Sequence, residues 1–321
     1  MSSRSQPRRR SASVLVVLAL TTVLPAQRAT GQVAAAPAIR LLRADDVDTM
    51  RVREGAIRVP YDRDSLQFGD LRMPRNVRGV KVPLVVVIHG GCWFSPYASL
   101  RNTAPLAQAI TDAGVATWNV EYRRYDQPGG GWPGTFRDAA DAADFVRTLA
   151  KRHPIDTTRI VVAGHSAGGH LALWLATRRT LTTESPLAGG KPLALRGVVS
   201  IAGIADLREF YSREKSTCGN AAVESLLGGA PDDVQYRLRD ASPIDRLPLG
   251  IPSIHIAGDR DFIAPTFVRE AYATAARAKG DSVAIETIPN EGHFEAIAPT
   301  RATGRAVIAA ILRLLAPPTR H

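Results

Sequence analysis

Short apolar runs that recur between helical stretches constrain this chain more than any other feature. Pro83–Ile88 reads PLVVVI, and shorter or less pure runs lie at Arg159–Ala163, Arg196–Ile201 and Pro252–Ala257. A run of this length without polar alternation is a strand covered on both faces. Between the runs the pattern turns helical: Leu100–Ala113 (ended by Gly114), Phe136–Arg152, Ala167–Arg178, Thr266–Lys279 and Arg301–Leu315. In Phe136–Arg152 the apolar positions Ala139, Ala142, Ala143, Val146 and Leu149 fall near helical spacing. Val115–Val120 and Ser282–Ile288 add strands, and Ala56–Tyr61 with Ser65–Met73 read as a hairpin. Strands alternating with helices predict an α/β fold with a mostly parallel central sheet and helices on both faces.

The alternation bounds the domain organisation. Residues 55–316 read as one α/β domain, preceded by an extended lead-in over 32–54. Residues 203–250 interrupt the pattern and read as a small cap-like insertion over one end of the sheet. Residues 1–31 stand apart. Arg8, Arg9 and Arg10 precede an uncharged apolar run, Val14–Leu24, and small residues follow. This is the layout of a secretory signal, cleaved at Gly31/Gln32 or at Ala26/Gln27. The apolar run is far shorter than the about 20 residues that span a bilayer, so no stable membrane insertion is expected after its removal. No apolar pair follows Arg9 and Arg10, which favours the general secretory route over a twin-arginine one. The expected location is periplasmic or secreted.

The formal net charge is +11. Residues 1–31 hold Arg4, Arg8, Arg9, Arg10 and Arg28 and no acid, so the remainder carries +6. The remaining basic residues are scattered and not interleaved with aromatics, which disfavours a nucleic-acid partner. The two cysteines, Cys92 and Cys218, form no Cys-x-x-Cys pair, and no Cys/His cluster has metal spacing. Neither a metal nor an organic cofactor is expected. Gly129-Gly130-Gly131 lacks the lysine of a phosphate loop and reads as a turn before a helix, with Trp132 near the pocket. Trp118 and Trp174 read as core packing.

The chemistry is concentrated in Gly164-His165-Ser166-Ala167-Gly168, placed where a strand becomes a helix. So sharp a turn strains its central residue, and flanking glycines remove the Cβ atoms that would clash. The serine is then exposed above the strand ends, beside the N–H groups of a helix N-terminus suited to a forming oxyanion. This is the layout of a nucleophile elbow.

A serine needs a base, and the base an orienting carboxylate. His293, in NEGHFEA after the last strand, is best placed as the base. His170 lies on the serine's own helix, His255 falls inside a strand, and His321 is the last residue. For the acid, GDRDFIAP offers Asp259 and Asp261. Asp261 is better placed to reach the neighbouring loop, Asp259 reads as a turn carboxylate, and Asp206 is a remote third choice. After PLVVVI, the stretch HGGCWF supplies a loop whose glycines let backbone N–H groups turn inward. Gly91 and Cys92 N–H are assigned to an oxyanion hole, with Ala167 N–H from the elbow. His89 reads as shaping this loop and Trp93 as buttressing it.

In this order and spacing, HGGCW, GHSAGGH, GDRDFIAP and EGHFE resemble the α/β-hydrolase superfamily. The likeness is greatest to its esterase and acyl-hydrolase branch with an HGGxW loop. That branch includes kynurenine formamidase-like and feruloyl-esterase-like proteins and is related to prolyl-oligopeptidase catalytic domains. The resemblance covers about residues 55–316 and implies a triad of Ser166, Asp261 and His293. Many relatives carry glycine or tyrosine where this chain has Cys92, whose backbone N–H serves equally. The implied partner is a small-molecule acyl ester or amide. The resemblance does not separate ester from arylformamide, because both pass through the same tetrahedral path. A non-catalytic binding protein on the same scaffold would normally lack one of the triad residues, and here every role is filled. Placing Cys92 at the site mouth and Cys218 in the insertion leaves two arrangements open: a disulfide that pins the insertion beside the oxyanion loop, or two free thiols. The oligomeric state is not fixed by the sequence.

Overall fold

The computed structural model describes residues 40–317, apart from Asn76 and Arg78. The signal-like segment 1–31, the first part of the lead-in and His321 lie outside the described residues. Eight strands form one sheet: β1 (Ile57–Pro60), β2 (Phe68–Arg72), β3 (Val82–Ile88), β4 (Ala116–Val120), β5 (Ile155–His165), β6 (Gly197–Ile201), β7 (Ser253–Gly258) and β8 (Val283–Ile288). Their order is β1-β2-β4-β3-β5-β6-β7-β8. β1 and β2 pair antiparallel, β2 joins β4 antiparallel, and all other pairs are parallel.

The helices are α1 (Ala44–Asp48), α2 (Ala104–Asp112), α3 (Gly134–Asp144), α4 (Val146–Leu149), α5 (Ala167–Thr177), α6 (Leu207–Tyr211), α7 (Glu214–Thr217), α8 (Ala222–Leu227), α9 (Gln235–Ala241), α10 (Thr266–Ala278) and α11 (Ala302–Leu315). The apolar run in β3 is explained by burial on two faces. Leu84, Val86 and Ile88 join one core with Phe136 of α3 and Leu171 of α5. Val85 and Val87 point the other way, into a second core with Leu106 of α2 and Ile311 of α11. An alternating strand would place polar side chains in one of these cores.

Several local expectations are corrected. The helix expected from Leu100 starts at Ala104, with Pro105 in its first turn, a position where proline's missing N–H costs nothing. The helix expected over Phe136–Arg152 begins at Gly134 and divides at Phe145 into α3 and α4. β5 is longer than Arg159–Ala163, because its first residues pair with Val82 of β3 across a register shift. The lead-in is not wholly extended. It holds α1, whose N-cap residue Arg43 donates its N–H to Asp46 at 2.8 Å. The insertion consists of α6 to α9, packed through Phe210, Val223, Leu226 and Leu238 onto the first core. Among the described residues, no helix is long and apolar enough to cross a membrane.

The strand order places the next two loops together. The chain leaves β3 toward β4 on one side and returns to β5 on the other. At such a switch the carboxyl ends of adjacent strands open a crevice, the usual ligand position in open α/β sheets.

Candidate active site

Ser166 sits in that crevice, between the end of β5 and the first turn of α5, with φ 56° and ψ −120°. A non-glycine residue in this conformation is strained. Its backbone is held by the Ser166 N–H, which donates to Ile201 O at 2.9 Å. The flanking glycines are required by space. A Cβ on Gly164 would lie 2.0 Å from Gly168 O, and one on Gly168 would lie 2.3 Å from both Ile88 O and His89 O. α5 is buried throughout, so its N-terminal N–H groups act in a poorly screened setting, where their partial positive charge is strongest.

The loop after β3 crosses the elbow. Gly91, Cys92 and Trp93 all have positive φ, at 100°, 50° and 54°. This costly run is held from several sides. His89 Nδ1 donates to Gly90 O at 2.8 Å, and its Nε2 lies 2.8 Å from Glu121 Oε1. Tyr122 stacks on His89 with ring centroids 4.4 Å apart and donates its hydroxyl to His89 O at 3.0 Å. Arg124 donates to the Glu121 oxygen that faces His89 Nε2. Burial pushes the Glu121 carboxyl up, but His89, Arg124 and the Tyr122 N–H outweigh it and bring it down to about 2. Trp93 is buried edge-on against His170 and Phe210, which is the buttress expected of it. Cys92 and Cys218 are joined by a disulfide, with Cα atoms 6.1 Å apart. Tyr97 adds a second tie between loop and insertion, donating its hydroxyl to Cys218 O at 2.8 Å.

His293 and Asp261 arrive from the loops after β8 and β7. His293 Nδ1 lies 2.8 Å from Asp261 Oδ2. The other carboxylate oxygen of Asp261 accepts the N–H groups of Ile263 and Ala264, each at 2.8 Å. Both residues are buried. Burial raises the Asp261 carboxyl, but the charge and hydrogen bond of His293 and the Ala264 N–H overcome this and hold it below its ordinary value. Ser166 and His293 line one cavity of about 470 Å³ together with Gly91 and Cys92. Among the described residues, no hydrogen bond joins Ser166 to His293. Such contacts are often long without substrate and tighten on binding.

The other candidates have different places. Asp259 Oδ1 accepts Asn290 N at 2.7 Å and so ties the two loops together as a turn carboxylate. Asp206 caps α6, accepting from Arg208 N and Glu209 N. His170 Nε2 donates to Ala241 O at 2.9 Å, and His255 is buried within β7. Trp132 packs edge-on against Phe136 and Tyr236 and is not part of the cavity wall.

Three further contributors carry weak signals or none in the sequence. The His165 ring lies tilted against His293, with centroids 4.4 Å apart, and its Nε2 donates to His293 O at 3.1 Å. Burial, and then the neighbouring His293 charge, push His165 down to about 3, so it remains a neutral donor. Glu295 is buried and accepts Gly292 N from the loop that carries His293. Its signal is an acid within the otherwise apolar FEAIA. Ala44 of α1 lines the cavity, and nothing in the sequence marks it.

Comparison with known proteins fits this geometry. The BD-FAE family model matches residues 70–268, more than half of the chain. The chain belongs to the BD-FAE family. The match includes Ser166 and Asp261 and ends before His293. Among curated relatives, Esterase LipC of Mycobacterium tuberculosis is 27% identical over 239 residues, covering 74% of this chain and 59% of its own length. The chain thus spans under two thirds of that relative. The kynurenine formamidase of Salmo salar is 22% identical over 253 residues, covering 75% of each protein. Among solved structures, esterase B from Lactobacillus rhamnosis, inhibited by a tributyrin phosphonate, superposes with a TM-score of 0.70. It is 19% identical, over 83% of this chain and 87% of that one. At that identity the likeness establishes the α/β-hydrolase fold alone.

Proposed function

We propose that this BD-FAE family member is an exported serine hydrolase that cleaves carboxylic esters of small molecules through an acyl-enzyme. The observation that carries the reading is the His293–Asp261 pair at 2.8 Å, with His293 and Ser166 on one cavity wall. Ser166 Oγ attacks the acyl carbon as its proton passes to His293 Nε2. Asp261 keeps the Nδ1 proton in place and balances the charge that forms on the ring. The N–H groups of Gly91, Cys92 and Ala167 receive the oxyanion. One such donor is worth about 3 to 4 kcal/mol in the transition state. Collapse expels the alcohol, which takes its proton from His293. A water, deprotonated by His293, then attacks the acyl group; the bond to Ser166 Oγ breaks, His293 returns the proton to that oxygen, and the acid is released.

Export rests on the signal-like residues 1–31 and sits well with a Cys92–Cys218 disulfide, since oxidising compartments preserve such bonds. Hydrolysis of p-nitrophenyl esters from acetate to octanoate, by the wild type and Ser166→Ala, tests the chemistry. Turnover lost in the variant is expected, and equal turnover by both would refute it. A second reading, amide hydrolysis of the arylformamidase type, is favoured by the likeness to kynurenine formamidase over three quarters of both chains. Preference for an N-formyl aryl amine over every ester would select it.

A further inference from the structure

We propose that residues Arg40–Met50 form a strap that walls the catalytic cavity and sets the size of substrate it accepts, with Ala44 as the specificity-determining contact and Glu295 as the positioning residue. The proposal rests on the hydrolase reading of that cavity and goes beyond it. Ala44 lines the cavity with Phe294 and Asn102. The strap is fastened at three points. The Leu42 N–H donates to Glu295 Oε1 at 2.5 Å, while Glu295 Oε2 accepts Gly292 N at 3.1 Å. One buried carboxylate therefore clamps the strap to the residue preceding His293. Asn102 Nδ2 donates to Asp48 Oδ1 at 3.1 Å, which fixes the other end to the loop before α2. Between them, Val47 is fully buried in one core with Leu106 and Ile297.

The strap also holds its own shape. Asp46 accepts from the Arg43 N–H and, at 2.8 Å, from the Arg40 guanidinium, closing a short helix. The family match begins at residue 70, so the strap lies outside the matched segment. A side chain larger than alanine at position 44 projects into the space that substrate must fill. Loss of the Glu295 carboxylate frees the wall and enlarges that space. Ala44 lies on a different segment from Ser166, Asp261 and His293, so its change falls on the relative rates of small and large substrates. Glu295 shares His293's loop, so its variant is read on that ratio, in which a common change at His293 cancels.

The test uses the full chain and two ester series: p-nitrophenyl acetate against octanoate, and ethyl against naphthyl acetate. For Ala44→Trp, the large-to-small ratio of kcat/KM is expected to fall about ten-fold in at least one series, with KM for the large ester rising more than kcat falls. Glu295→Gln keeps a single acceptor oxygen for two N–H groups, and the ratio is expected to move the opposite way, toward large esters. Ratios within two-fold of wild type in both series overturn the strap. Should Ala44→Trp fail to fold, Ala44→Leu and Glu295→Gln decide on the same ratios. If the wild type neither hydrolyses any ester nor reacts with a fluorophosphonate, the hydrolase reading fails and the strap proposal fails with it. A hydrolytic wild type with unmoved ratios overturns the strap alone.

Discussion

Replacing Asp261 by Asn gives the sharpest view of how the site is wired. The two oxygens of Asp261 do different jobs. Oδ1 accepts Ile263 N and Ala264 N at 2.8 Å, and Oδ2 faces His293 Nδ1 at 2.8 Å. An asparagine here has one acceptor oxygen. Two backbone donors hold that oxygen at the Oδ1 position, which turns the amide NH2 toward His293. The imidazole must then present an unprotonated Nδ1, so its proton sits on Nε2, where a base for Ser166 needs a lone pair. Placing a neutral imidazole in the wrong tautomer costs about 10⁴ in kcat, or about 5 kcal/mol of transition-state stabilisation. The fold should survive, since the turn bonds remain. The assay is kcat/KM for p-nitrophenyl acetate, with fluorophosphonate labelling rate as a second readout. Both should fall together, and thermal unfolding should move little. A loss below ten-fold with the protein intact would show that Asp261 does not orient the base.

Three other perturbations test the scaffold around the site. The Cys92–Cys218 bond spans a sequence separation of 126, and removing such a link costs about 2 to 5 kcal/mol. The Cys92→Ser/Cys218→Ser double variant should melt well below wild type, and an unchanged melting temperature would contradict this. Gly168→Ala forces a Cβ to within 2.3 Å of two backbone carbonyl oxygens, so soluble, fully active protein from that variant would show that the elbow geometry is wrong. Burial pushes His165 and His255 down to about 3 and His170 to about 4, whereas an unfolded chain takes up these protons below about 6.5. Stability should therefore hold above about pH 6.5 and fall as pH drops toward 4, at up to about 1.4 kcal/mol per pH unit for each ring. A denaturant midpoint that stays level from pH 8 to 5 would refute this.

The parallel core of the sheet was legible because burial on both faces leaves a pure signal. In β3, Leu84, Val86 and Ile88 serve one core, and Val85 and Val87 the other. The positions of Ser166, Asp261 and His293 at strand ends follow from that framework plus the elbow glycines. Elements held by tertiary contacts rather than pattern were not legible. α1 offers a single fully buried residue, Val47, over its one turn, which leaves no period to detect. The extension of β5 was hidden because Asp156, Thr157 and Thr158 interrupt the apolar run, yet Ile155 ahead of them pairs with Val82 across an irregular register. Glu295 and Ala44 matter through residues far away in sequence, at Leu42 and in the shared cavity. No local pattern reports such a contact.

The central claim is that Ser166 is the nucleophile of a serine hydrolase. It is tested most directly by incubating the wild type with a fluorophosphonate and mapping the adduct by mass spectrometry. The account predicts one stoichiometric adduct, on Ser166, formed in step with loss of ester hydrolysis and absent from Ser166→Ala. Hydrolysis that persists with Ser166 unmodified, or an adduct on another residue that abolishes it, would contradict the account.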